Sequence, residues 1–246
     1  MAVAFDAATE DKVVSGGVTT LTYSHTCSGS DRFLYVALTQ INHSGTPTAT
    51  YGGVSMTPVY TRVQVYSSTW THSGFFLMNP ASGANNVVIS SSGPTGTNSL
   101  RSGCVSYTGV DQTNPVLDDN SIYSASGGTM SISLTTASDG WAIISGANVD
   151  YAFSAGTNTD TLRASYGGLC DIADSGNDIT AGTFNAQMTH AGTRGYGGIA
   201  LAILPAGGGS YTGDIKSIAG VAQASIKSIA GVAIANIKSV AGVSNV

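Results

Sequence analysis

From Val3 to about Leu204, apolar residues come in short runs separated by clusters of Gly, Ser, Asn and Pro, and no stretch shows a convincing amphipathic helix. This pattern predicts strands throughout. Arg32 to Ile41 is apolar nearly end to end, which suits a central strand covered on both faces. Before it, Val13-Val14 and Val18 to Tyr23 flank Ser15-Gly-Gly17 and read as an opening pair. Thr48 to Tyr51 leads through Gly52-Gly53 into Val54 to Tyr60, where Pro58 marks an edge or a bulge. Arg62 to Tyr66 and Gly74 to Met78 flank a polar loop carrying Trp70 and His72. Later strands are expected at 87–91, 99–107, 129–134, 140–144 with 147–149, 162–166, 181–188 and 198–204. So many short strands in one open sheet would curl or split. The predicted fold is therefore all-β, a two-sheet antiparallel jelly-roll sandwich over residues 1–206.

The pattern changes after a Gly/Ser linker at 207–214. Residues 215–246 hold three eleven-residue repeats, Ile215-Lys-Ser-Ile-Ala-Gly-Val221, Ile226-Lys-Ser-Ile-Ala-Gly-Val232 and Ile237-Lys-Ser-Val-Ala-Gly-Val243. Two backbone readings compete. A period of eleven is about 3.67 residues per turn, the spacing of a right-handed coiled coil. Against a helix, Gly220, Gly231 and Gly242 each cost roughly 1 kcal/mol relative to Ala, and the β-branched Ile and Val add smaller penalties. In the strand reading, Ala-Gly is a two-residue turn between nine-residue strands. Residue choice favours β over helix. Either way, three short apolar copies have too little chain for a core of their own and too much greasy surface to stay solvated. They are expected to bury against copies from other chains, with Ile215, Ile218, Val221, Ile226, Ile229, Val232, Ile237, Val240 and Val243 as the assembly contacts and Lys216, Lys227 and Lys238 facing solvent or carboxylates.

Composition then narrows the setting. Only 9% of the 246 residues are charged, against roughly 25% in ordinary soluble domains. Solubility must come from hydroxyls and amides, as in extracellular and virion-exterior β-proteins. Up to Ala206 the chain carries 5 Arg and 1 Lys against 13 acids, a balance of −7, so the basic footprint of a nucleic-acid binder is missing. The start, Met1-Ala-Val-Ala-Phe-Asp6, offers no basic or apolar leader region, and no run approaches the length of a membrane span. The expectation is a product made in a host cytoplasm without a signal peptide. Cys27, Cys104 and Cys170 are far apart, with no metal-ligand spacing, and are expected to be buried free thiols.

Candidate chemistry is sparse. Four His and a single Glu give few acids or bases, no nucleophile elbow or phosphate loop occurs, and the expectation is a non-enzymatic protein without a cofactor. His25, His43, His72 and His190 fall in or beside predicted loops as structural residues. Asp111, Asp118 and Asp119 are weak Ca²⁺ candidates because oxygen ligands cluster there, although turn chemistry explains them more simply. Asp171, Asp174 and Asp178 read the same way. Tyr66 and Trp70, with Tyr60 near the same loops and Tyr151 and Phe153 elsewhere, are candidates for an aromatic sugar-binding platform.

Several stretches carry a resemblance: Gly29-Ser-Asp-Arg-Phe-Leu-Tyr-Val36, Tyr51-Gly-Gly-Val-Ser-Met56, Phe75 to Ile89, Ser106 to Pro115 and Ile199 to Ala206. Together they resemble the concanavalin-like jelly-roll sandwiches of phage structural proteins and bacterial surface proteins, and the C-terminal repeats resemble those of phage-encoded proteins. The resemblance implies a virion role as capsid decoration, head fibre or tail fibre, for a homo-oligomer, by analogy a trimer, that contacts other virion proteins. Alternatives are a carbohydrate-binding adhesin that recognises a cell-surface glycan, a subunit of an extracellular filament, and a polysaccharide depolymerase.

Overall fold

The computed structural model describes residues 2–148, 151–159, 161–165 and 167–207, and within the repeats Ser217–Ile218, Val221–Ala222, Ser228–Ile229 and Val232–Ala233. Among the described residues there is no helix. The first half of the body contains β1 (Ala4–Ser15), β2 (Thr20–Cys27), β3 (Phe33–His43), β4 (Thr48–Tyr51), β5 (Val54–Ser55), β6 (Thr57–Gln64), β7 (Trp70–Met78), β8 (Gly83–Ser90) and β9 (Pro94–Thr108). The second contains β10 (Val116–Ser124), β11 (Thr129–Thr136), β12 (Trp141–Asn148), β13 (Ser154–Ala155), β14 (Thr161–Ala164), β15 (Asp171–Asp174), β16 (Gly182–Thr189) and β17 (Tyr196–Ile203).

These strands build antiparallel sheets in the orders β2-β8-β4-β5, β1-β9-β3-β7-β6, β10-β17-β12-β15-β14 and β11-β16-β13. The sheets stack in that sequence. Leu34, Val36 and Leu38 of β3 pack on Leu21, Tyr23, Val87 and Ile89 of the first sheet. The other face of β3, with Phe33 and Tyr35, packs on Trp141, Ile143 and Leu201 of the third. Ile144, Ala200 and Ala202 then face Met130, Ile132, Leu134 and Met188 of the fourth. Burial follows residue pattern: β3, β12 and β17 are apolar runs covered on both faces, whereas β2 and β11 alternate inward and outward residues.

The sandwich thus occurs twice. With β5 set aside, each half contributes eight strands, the first, eighth, third, sixth and fifth forming the large sheet and the second, seventh and fourth the small one. This is a jelly-roll order with the fifth strand moved to the large sheet. In the first half that transfer is visible, because Val54–Ser55 stays with β4 and the chain crosses at buried Met56 to become β6. Register repeats as well. Phe33 pairs Tyr107 as Trp141 pairs Ile203, and Cys27 pairs Gly83 as Thr136 pairs Gly182. Asp31 and Asp139, each between a Ser and the residue before a buried aromatic, both adopt positive φ, 50° and 61°. Phe33, Tyr35, Val105 and Tyr107 meet Trp141, Ile143, Leu201 and Ile203, so equivalent faces meet as in an isologous dimer.

Some local expectations change. β1 does not form a hairpin with β2; it pairs β9 over most of its length, which closes the large sheet. Trp70 and His72 lie on β7 rather than in a loop. Pro58 does sit on an edge strand, beside a register shift. In the repeats, Ser217–Ile218 (β18) pairs antiparallel with Val221–Ala222 (β19), and Ser228–Ile229 (β20) with Val232–Ala233 (β21), in keeping with the strand reading. Ile215, Ile226, Ile237, Val240 and Val243 lie outside the described residues.

The glycine doublet Gly197-Gly198 sits inside β17. A Cβ on Gly197 would overlap the Gln64 carbonyl of β6, and one on Gly198 would overlap the Met130 side chain. Gly197 is therefore where the first half's edge strand rests on the second half's centre. Gly197→Ala is expected to destabilise the body by about 1–3 kcal/mol, the usual penalty of overpacking, read as a lower urea midpoint at unchanged slope.

Candidate functional site

All four imidazoles are buried, three of them on strands. His25 points inward from β2, where alternation places Leu21, Tyr23, His25 and Cys27 on the core side. Ser106 Oγ donates to Asp6 Oδ2 at 2.7 Å, so its other contact, 3.1 Å from His25 Nε2, is an N–H donation from the ring. His25 Nδ1 then accepts from Thr9 Oγ1 at 2.8 Å. Ser, His and Asp meet here, but with the serine in the middle. Its proton is directed at the carboxylate and no base faces it, so the order needed to activate a nucleophile is reversed. Burial pushes His25 down to about 4, partly opposed by Asp6.

His72 sits between the two jelly rolls. Its Nδ1 is 3.0 Å from Thr39 Oγ1 and its Nε2 2.9 Å from Ser145 Oγ, which in turn lies 2.7 Å from the Tyr35 hydroxyl. Burial alone drives its pKa to about 3, which keeps it neutral. A second polar knot ties the same interface. Asp174 Oδ2 accepts from Tyr107 Oη at 2.7 Å and from Arg163 Nε at 2.8 Å, Oδ1 accepts from Gly176 N at 2.9 Å, and the Arg163 guanidinium lies 4.0 Å over the Phe5 ring. Burial and the Asp174 carboxylate together push the Tyr107 phenol well up.

The candidate acids serve the backbone. Asp111 Oδ1 accepts from Thr113 N and Asn114 N, closing the loop between the halves. Asp118 accepts from Asp119 N and Thr135 N, while Asp119 lies on the exposed edge strand β10. Asp171 receives Phe153 N, and Asp178 receives Trp141 Nε1. Among the described residues no group of three or more His, Cys, Asp or Glu is placed to hold a metal ion. Cys27, Cys104 and Cys170 are free and buried, and burial pushes Cys104 and Cys170 up to about 12. None presents a thiolate.

The aromatic candidates do come together in part. Tyr66, in the turn after β6, meets Trp70 edge-on with ring centroids 6.2 Å apart. Arg62, itself at positive φ, binds that turn to the end of β3 through Nη1 to the His43 and Gly45 carbonyls and Nη2 to the Ser68 carbonyl. Trp70 Nε1 is buried without a partner among the described residues, and neither ring nitrogen of buried His43 makes a well-formed hydrogen bond there. His43 is pushed down by burial, with the nearby Ser92 backbone opposing and Arg62 adding to the shift. Tyr60 instead reaches the Asp119 carbonyl of the second half, and Phe153 is core, edge-on to His190 at 5.1 Å.

No protein-family model matches the chain, and curated proteins give no significant match. Among solved structures the chain is distantly similar to the major capsid protein P2 of bacteriophage PM2, at 9% identity and a TM-score of 0.26, covering 82% of this chain and 97% of that one. It is similar to the turret protein A223 of Sulfolobus turreted icosahedral virus at 12% identity and a TM-score of 0.19, covering 83% and 100%. The extracellular domain of ANXUR2 from Arabidopsis thaliana stands at 7% identity and a TM-score of 0.25, covering 81% and 88%. Likeness at this level carries no argument about function. The concanavalin-like resemblance finds no counterpart in these comparisons.

Proposed function

We propose that the chain is a non-enzymatic structural protein of a virion, in which a double jelly roll is displayed by an oligomer that forms through the C-terminal repeats. The observation that carries this reading is where the body directs its reactive groups. His25 and His72, the three thiols and Asp174 are turned into the core or the joint between the halves, where they hold strands together. What the described surface of the body is left with is mostly hydroxyls and amides, and the sequence adds one apolar repeat segment. Jelly rolls recur in capsids and in lectins, a fold-level analogy that favours a structural or a recognition role over catalysis. The described body closes at Pro205, which bridges Val110, so the sequence passes on to the repeats from one fixed point of the sandwich. Three-fold association of the repeats would present three such bodies side by side.

Deleting 211–246 is expected to leave a folded, soluble monomer while the full chain is an oligomer, as measured by multi-angle light scattering. A truncated protein that keeps the full chain's mass ratio would remove the assembly role from the repeats. A second reading, an adhesin that binds a cell-surface glycan, is favoured by the Tyr66–Trp70 pair.

A further inference from the structure

One hydrogen-bonded chain of side chains in the first jelly roll begins on a carboxylate and ends on a hydroxyl. Ser106 Oγ donates to Asp6 Oδ2 at 2.7 Å, the His25 Nε2–H donates to Ser106 Oγ at 3.1 Å, and Thr9 Oγ1 donates to His25 Nδ1 at 2.8 Å. The order that silences Ser106 therefore points the Thr9 proton at a free imidazole nitrogen. Burial, opposed by Asp6, holds that ring neutral down to about pH 4, so it accepts at ordinary pH.

The fold does not require this chain. The second jelly roll repeats the register, with Cys27 matched by Thr136 and Tyr107 by Ile203. Counting along the same strands, His25 corresponds to Leu134 and Ser106 to Ala202, both buried, while Thr9, opposite Cys104, corresponds to Asn120, opposite Ala200. Hydrocarbon fills there the places of the imidazole and the serine hydroxyl. Nor is the head of the chain sealed in. β1 and β2 are edge strands of their sheets, and the Thr9–His25 bond spans the seam between them. Thr9 is half-buried and Glu10 exposed, whereas His72 and Asp174 are fully enclosed. β1 also bulges directly after Thr9, where Glu10 and Asp11 stand against Gly103 alone between the Thr9–Cys104 and Lys12–Ser102 pairs. Such bulges re-aim side chains, take backbone groups out of the ladder and recur beside reactive sites.

We propose that Thr9 is a site of covalent acylation, with Thr9 Oγ1 as nucleophile, His25 as its general base, and Ser106 and Asp6 holding the ring in the tautomer that accepts. The co-reactant is a small activated acyl compound, an ester or thioester with a good leaving group. Thr9 Oγ1 bonds to the acyl carbon and its proton passes to His25 Nδ1; the bond from the acyl carbon to the leaving group breaks, and the leaving group departs with that proton. The imidazolium formed in between faces a relay that ends in a carboxylate. Around the site the sequence places three acids, Asp6, Glu10 and Asp11, against Lys12 alone, so a neutral or cationic acyl donor fits better than an anionic one. The inference goes beyond the virion reading and does not depend on it.

The test is to incubate the full chain with p-nitrophenyl acetate near neutral pH, quench in acid and map the acetyl group by peptide mass spectrometry. Thr9 is expected to be acetylated ahead of every other hydroxyl. Hydroxylamine should remove the label, which separates an ester on Thr9 from an amide on Lys12. Thr9→Val should abolish it and Thr9→Ser retain it. His25→Leu and Ser106→Ala copy the residues of the second jelly roll, so circular dichroism and melting should show a folded body. The Thr9 rate is expected to fall at least about a hundredfold in His25→Leu, the usual contribution of a general base, and by a smaller factor in Ser106→Ala. Should His25→Leu not fold, His25→Gln takes its place, because glutamine can still donate to Ser106 but cannot act as a base. A Thr9 rate no higher than in the urea-unfolded chain, acetylation of other hydroxyls first, or a folded His25 variant labelled as fast as the unaltered chain would overturn the proposal.

Discussion

Replacing Asp174 with asparagine is expected to lower the stability of the body by about 3–5 kcal/mol, the loss typical when one partner of a buried ion pair is removed. The carboxylate is fully buried and accepts from Tyr107, Arg163 and the Gly176 amide at once. An amide in its place supplies one acceptor oxygen and turns two N–H donors toward groups that are themselves donors. Arg163 would be left charged and mostly covered, with the Phe5 ring as its remaining neighbour of note. Because these residues come from β1, β9, β14 and β15, the damage falls on the joint between the jelly rolls. For a body of this size the melting midpoint should fall by roughly 6–20 °C. Adding Arg163→Met to Asp174→Asn removes the stranded charge and should recover part of that loss, since an apolar replacement of a whole buried pair is often neutral. A double variant no better than the single one would mean that the Tyr107 hydrogen bond, not the ion pair, carries the effect.

How much of this was legible in the sequence depends on which physical signal each feature leaves. Strand type was legible because period-two alternation in Thr20–Cys27 and the unbroken apolar run in Phe33–His43 both report burial directly. The same alternation, carried four residues past Tyr23, would have placed His25 on the inner face; ending the strand early put it in a loop. Trp70 and His72 were misplaced because Ser67, Ser68 and Thr69 form the turn and Thr71 and Ser73 inside β7 look equally turn-like, although they are buried against a polar interface. The doubling of the sandwich left almost no trace. Thr20–Cys27 and Thr129–Thr136 share an outward row of Thr and Ser, and Gly83–Ser90 and Gly182–Thr189 share an initial Gly and one Asn, but the inward residues differ completely. A core position constrains volume and polarity rather than identity, so two halves can keep one register while their residues diverge. The Asp174 knot was invisible because its members stand 67 and 11 residues apart from the aspartate and meet only when both sandwiches are in place.

Acid should unfold the protein over a window set by the buried imidazoles. His72 is held neutral to about pH 3 and His25 to about pH 4, while in the unfolded chain both take up a proton near their ordinary 6.5. Since the folded values are depressed, their contribution is complete above about pH 6.5 and is lost as pH falls, through about 4 for His25 and about 3 for His72. A tenfold difference in proton affinity between folded and unfolded chain is worth about 1.4 kcal/mol, so between pH 7.5 and 4.5 the pair should remove on the order of 3–5 kcal/mol, a large share of an ordinary stability. His43 and His190 are depressed by burial too and act in the same direction. The measurement is a set of urea midpoints across that range, with His72→Gln as the comparison. Glutamine keeps a polar group near Ser145 but cannot titrate, so the variant starts less stable at neutral pH and loses stability more slowly on acidification, taking up about one proton fewer on unfolding. Parallel curves for the two proteins would show that His72 is protonated within the fold, and the Tyr35–Ser145–His72 joint between the jelly rolls would then have to tolerate a charge that its burial argues against.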